Sequence, residues 1–409
     1  VDLLIQNALL ASGEKVDIAV QNGVVHAVAP QLDSDAKAVI QADGQLALPA
    51  LVNGQLHACK VFWRRILGTL PPQVQALPRF QAAQRVKARY TVEDVVNRVD
   101  EVMRLAIRAG TCAIRLFADV DAANGLTALR GLLEIKRRFS PYMTVQVVTF
   151  PQDGVLAAHT QQLMHDALDM GADVVGGIPW IEQGLDAQHA HTQMCFELAE
   201  RYSKPLHLVA DDTTDPTSRT LERIAQETLE RKLQGQVCVT QATALSFQED
   251  DYAAYVIALL KEAEITVFSN SHVSLVTTAV DAPPYPRGIT RIPELLAAGV
   301  RVACAQDDID NWYYPFGRNN LLEVAQLMTH VGGFGWQPEA TLPMVTTIPA
   351  NALGLSNYGI HEGAEANLIV LPTPSWHAAL QFQPEVRYVI LKGQLAAASY
   401  LQQHWHLPV

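Results

Sequence analysis

Between residues 49 and 361 the chain repeats one pattern: a short apolar run, then an amphipathic stretch. The runs are NGQLHA, TCAIRLFADV, MTVQVVTFPQ, ADVVGGIP, PLHLVAD, QVCVTQAT, ITVFSNS and RVACAQDD. Helical patterns such as VEDVVNRVDEVMRLAIRAG and SRTLERIAQETLERKLQG separate them. Runs that are apolar on both faces suit strands covered on both sides, and a crossover helix makes successive strands parallel. Eight such units closing on themselves give a (β/α)8 barrel, a TIM-like α/β fold. An open doubly wound sheet is the other arrangement this pattern permits. No GxGxxG follows an early strand, so dinucleotide binding has no support.

The two ends of the chain read differently. DLLIQNALL, VDIAVQNGVVHAV and AVIQADGQLALP alternate with a period of two, with Asn-Gly and Asp-Gly turn signals between runs. ANLIVLP and VRYVILKGQLAA repeat that pattern near the other end. Residues 1–48 and 362–409 are therefore expected to share a small β-sandwich domain, with 49–361 forming the barrel.

Composition narrows the partners. Net charge is −12 with no basic block, which argues against nucleic acid and anionic membrane. No apolar run approaches the roughly 18 residues of a membrane span, and no leader pattern opens the sequence. The five cysteines are scattered without a CxxC, as in reduced core positions of a cytoplasmic protein. A homo-oligomer is expected.

Barrel chemistry sits at the C-terminal ends of the strands. The polar and aromatic residues there are Gln55 and His57 (strand one), Asp119 (two), and Phe150, Gln152 and Asp153 (three). Strand four ends near Trp180 and Glu182. Strand five carries His207, Asp211 and Asp212. Gln241 lies on strand six, Asn270 and His272 on seven, and Gln306, Asp307 and Asp308 on eight. Such residues are often structural, as helix caps or hydrogen-bonded core groups. His57, His207 and Asp307 nevertheless converge from strands one, five and eight, enough ligands for a divalent metal with an open position.

Long motifs carry a family likeness: LPALVNGQLH, TFPQDG, GADVVGGIPW, YPRGITRIPELLAAGVRV, AQDDIDNWYYPFG and NYGIHEGAEANLIVLP. With the split terminal sheet, they resemble the amidohydrolase superfamily and, within it, the cytosine deaminases. The resemblance implies a hydrolase acting on a C–N bond of a small cyclic amide or heterocyclic amine. It also implies one zinc or iron ion held at positions 55, 57, 207 and 307. It places a proton-shuttling Glu at 210, a His beside the metal-bound water at 241, and a substrate-binding glutamine at Gln152.

The sequence departs from that pattern at Gln55, Ala210, Gln241 and Gln306. An amide oxygen is a weaker ligand than imidazole, and alanine moves no proton. No tightly bound metal is expected, and ordinary metal-dependent deamination is doubtful. Three readings follow. One is a hydrolase using His57, His207 and Asp307 as ligands, with Asp211 as acid and base. Another hydrolyses without metal, with Asp307 or Asp308 as base. The last is a catalytically silent paralogue that binds a small heterocycle or a partner protein. In each, Gln152, Phe150, Trp180, Gln241 and Tyr313 are the expected ligand contacts, with Trp312 a further aromatic candidate.

Overall fold

A computed structural model of the chain describes residues 1–75, 79–277, 287–404 and 406. They divide into two compact units: 1–51 with 106–112 and 356–409, and 52–105 with 113–355.

The first unit is built on a sheet from the two termini. Leu46–Pro49 lies between Leu3–Leu10, which it pairs in parallel, and Leu368–Leu371, which it pairs antiparallel. Ile5, Ile18, Val20, Leu368, Val370 and Ile390 fill its core. The turns at Asn22-Gly23 and Lys392-Gly393 have positive φ at both residues, as a two-residue hairpin requires. A Cβ on Gly393 would stand 2.6 Å from Gly23 Cα, so the two turns meet where no side chain fits.

The second unit holds most of the parallel barrel. Its strands are Leu51–Leu56, Thr111–Asp119, Thr144–Phe150, Val174–Gly177, Leu206–Ala210, Val237–Gln241, Thr266–Phe268 and Arg301–Ala303. They are hydrogen-bonded in sequence order. The ring closes where Leu56 pairs with Asp307: Asp307 N–H donates to the Gln55 carbonyl at 2.9 Å, and His57 N–H to the Asp307 carbonyl at 2.7 Å.

Helix Val92–Arg108 shows why these segments cover the sheet. Val95, Val99, Val102 and Ala106 recur every three or four residues and are buried, while Thr91 Oγ1 accepts the Asp94 N–H at its start. Among the described residues, no helix is long and apolar enough to cross a membrane. Tyr285 and Pro286, which head the YPRGITRIPELLAAGVRV motif, lie outside the described residues.

Candidate functional site

A cavity of about 560 Å³ opens at the C-terminal end of the barrel. Its wall combines aromatic and aliphatic side chains (Phe150, Ile178, Trp180, Val209, Tyr313) with polar ones. The polar set is Gln55, His57, Lys60, Gln152, Asp153, Asp212, Gln241, Thr277, Asp307 and Asp308. Three strand ends at the barrel mouth have strained backbone. Asp211, Gln241 and Asp307 have φ of 45°, 73° and 63°, a region that residues with a side chain seldom adopt.

Asp307 is the centre of the floor. Gln55 Nε2 donates to its Oδ1 at 2.9 Å, and Gln241 Nε2 to its Oδ2 at 2.8 Å. A carboxylate only accepts, which fixes the orientation of both amides. Gln55 Oε1 in turn accepts from Thr240 Oγ1 and from Asn270 Nδ2 at 3.2 Å, while Gln241 Oε1 accepts from Ser274 Oγ at 3.3 Å. Burial pushes the Asp307 carboxyl well above the usual carboxylate range, and Asp308 and Asp212 add to the rise.

His207 lies beneath this floor and does not line the cavity. Arg115 Nη1 stands 3.1 Å from its Nδ1, and a guanidinium only donates. The imidazole proton is therefore on Nε2, which donates to Thr240 Oγ1 at 2.8 Å. Around His57, the Lys60 ammonium faces Nδ1 at 3.3 Å, and Nε2 lies 3.4 Å from Gln55 Nε2 and 3.5 Å from Asp307 Oδ1. Burial lowers both imidazoles well below the ordinary histidine range.

The metal implied by the resemblance does not fit these residues. The Gln55 oxygen is turned toward Thr240 and Asn270, and its nitrogen holds the carboxylate that the ion would need. Among the described residues, no three His, Cys, Asp or Glu side chains come together as a ligand set.

Lys60 is a site residue that the sequence reading passed over, and Asp212, noted there at the end of strand five, was given no role. Lys60 is 1% exposed and ends the short 3-10 turn Ala58–Lys60 after strand one. Its Nζ donates to Gln152 Oε1 and lies 3.2 Å from Asp119 Oδ1. Burial alone would lower its pKa, but Asp119, Tyr313, Cys59 and Asp308 together outweigh that and raise it, so the ammonium stays charged. A lysine set among apolar residues in HACKVFW was the available signal. Behind Asp119 lies Lys87, 2.7 Å from Asp121 and 3.2 Å from Asp153.

Of the expected site residues, His57, Phe150, Gln152, Trp180, Gln241, Asp307 and Tyr313 come together on the cavity wall. Asp211 does not. Its carboxylate accepts from Ser218 Oγ, Thr220 Oγ1, and the backbone N–H groups of Thr220 and Leu221. It caps the helix Thr220–Glu230. The next residue, Asp212, faces the cavity instead, and burial pushes its carboxyl up to about 6. Trp312 packs edge-on against Trp63 with ring centroids 5.5 Å apart, away from the wall.

Comparison with known proteins places this geometry. The pattern described as "Amidohydrolase family" matches residues 73–397. A structure of 5-methylcytosine deaminase from Klebsiella pneumoniae, liganded with 5-fluorocytosine, superposes with a TM-score of 0.90. It is 30% identical, covering 98% of this chain and 99% of that one. N-isopropylammelide isopropyl amidohydrolase of Pseudomonas sp. (strain ADP) is 28% identical over 404 residues, 96% of each chain. Pterin deaminase of Rhizobium rhizogenes is 24% identical over 388 residues, 93% of this chain and 87% of that protein.

Proposed function

The chain belongs to the amidohydrolase family, and on that premise we propose that it binds a small, flat nitrogen heterocycle or cyclic amide at the barrel mouth without its relatives' metal-dependent hydrolysis. One observation carries this reading: Gln55 and Gln241 each give an N–H bond to an oxygen of Asp307. The floor is thereby a closed hydrogen-bond network with its polar groups satisfied, a surface for recognition.

The walls support the same reading. Phe150, Trp180 and Tyr313 offer aromatic faces to a ring. Gln152 gives its oxygen to Lys60, which leaves its Nε2 to donate to a ligand carbonyl. The relatives named above act on, or are liganded with, heterocycles of this size. Five buried free cysteines agree with a reducing cytoplasmic setting.

The test has two arms. Metal analysis of protein purified without chelator should find zinc, iron and manganese far below one per chain. Thermal-shift titration with 5-fluorocytosine, pterin and N-isopropylammelide should give a hit that weakens in Gln152→Ala. Near-stoichiometric metal, or silence across the ligand set, rejects the proposal.

A second reading has its own support. The carboxyls of Asp212 and Asp308 are both pushed up to about 6, chiefly by burial. Groups in that range exchange protons readily near neutral pH, and general acid–base catalysis typically contributes about 10²–10⁴-fold. Slow, metal-independent ammonia release from a bound heterocyclic amine, lost in Asp308→Asn, would favour it.

A further inference from the structure

Three acceptors surround the Lys60 ammonium. Nζ donates to Gln152 Oε1, lies 3.2 Å from Asp119 Oδ1 and faces His57 Nδ1 at 3.3 Å. The rings of Phe150 and Tyr313 flank it, with centroids 5.3 and 5.6 Å away. Only 1% of the residue is exposed, so the ammonium cannot turn out to water. Asp119 is pinned in its turn. It is fully buried, and Lys87 Nζ lies 3.5 Å from its other oxygen, Oδ2. Lys87 is itself held 2.7 Å from Asp121.

An ammonium has three hydrogens and no lone pair. Three acceptors inside the protein match those hydrogens, so Lys60 acts on an occupant of the cavity through Gln152. A glutamine amide left to itself can turn over, exchanging oxygen for NH2 at nearly the same shape and offering a ligand either polarity. Beside Lys60 only one orientation is allowed. The turned amide would set its N–H groups against an ammonium and lose a charge-assisted hydrogen bond. Gln152 Nε2 is thereby reserved for the cavity, which Gln152 lines.

Resting on the heterocycle-binding reading, we propose that Lys60, held by Asp119, is a positioning residue that locks the Gln152 amide. The site therefore selects rings that present a hydrogen-bond acceptor to Gln152 over rings of equal shape that present an amino group there.

Pyridine N-oxide and aniline separate the alternatives. Both are flat six-membered rings with one exocyclic atom, and both are neutral at neutral pH. The first only accepts at that atom, and the second chiefly donates. NMR titration of the full chain should find pyridine N-oxide tighter by about tenfold, the usual consequence of a donor left facing a donor. In Gln152→Glu, which keeps a partner for Lys60 but offers only acceptors, the preference should reverse. In Lys60→Met/Asp119→Asn, which removes one charge of each sign, the amide is free to turn and the ratio should fall to near parity. A wild type without preference for pyridine N-oxide, a preference that survives the double substitution, or no reversal in Gln152→Glu overturns the proposal. If the double variant does not fold, the wild-type ratio and its reversal in Gln152→Glu decide. 5-Fluorocytosine checks the underlying reading. If it binds and the two probes show no difference, the inference fails and the heterocycle-binding reading stands. If neither it nor the probes bind, both fail.

Discussion

Gln55 and Asp307 are joined twice across the seam that closes the barrel, by the Asp307 N–H to the Gln55 carbonyl and by Gln55 Nε2 to Asp307 Oδ1, each at 2.9 Å. Closure of the ring and construction of the cavity floor are therefore one structural event. A substitution on either side acts on both.

Gln55→Ala should destabilise the protein by about 1–3 kcal/mol, the usual cost of leaving buried polar groups without partners. Thr240 Oγ1, Asn270 Nδ2 and Asp307 Oδ1 all lose a bond. Urea denaturation followed by circular dichroism measures this. An unchanged midpoint would show that the floor amide does not stabilise the closed ring.

Gln55→His, Ala210→Glu and Gln241→His together should restore metal binding before any activity appears. The triple variant removes both amides that occupy Asp307 and returns imidazole at two positions. Zinc content after dialysis should rise toward one per chain, while wild type stays far below that. Equal zinc in the two proteins would contradict the account of the site.

Asp212 should make stability fall as pH rises from about 4 to about 6. Its carboxyl ordinarily titrates at 3.8 and is raised to about 6 in the fold. Between those values the native state holds more protons than the unfolded state. The favourable contribution is thus complete below 3.8 and is lost through pH 6. Asp212→Asn should remove this slope, gaining on the order of 1–3 kcal/mol over wild type at neutral pH relative to acid pH. Paired denaturation curves across that range would show it, and parallel curves would refute it.

Asp211→Ala should cost about 1–2 kcal/mol through loss of the helix cap. It should leave ligand affinity unchanged, since its carboxylate is spent on Ser218, Thr220 and Leu221. Chemical denaturation and ligand titration of the same variant separate the two effects. A large loss of affinity with normal stability would return Asp211 to the site.

The barrel was legible because apolar runs and amphipathic stretches differ in period, and that difference survives without tertiary information. His57, Gln152, Gln241 and Asp307 were legible because strand ends in a barrel point to one place. Asp211 and Asp212 show where such reading stops. Both are acidic and adjacent, and the choice between cap and cavity is made by the following helix. Lys60 was hidden for a related reason. A lysine can be buried only beside a counter-charge, and Asp119 lies on another strand, 3.2 Å away in space but distant in sequence. The side chain of His207 was readable, but its tautomer depends on the donor at Arg115.

The terminal sheet carries a consequence in time. Leu46–Pro49 needs Leu368–Leu371 beside it, and roughly 320 residues separate them. At about 5–20 residues per second, a ribosome takes about 16–64 s to supply the second strand after the first. For that interval the apolar side chains of Ile5, Ile18 and Val20 wait without Leu368, Val370 and Ile390, which complete their core. The nascent chain must therefore either shield that half-sheet by transient contacts or present it to chaperones, while the barrel segments emerge and fold between its two halves.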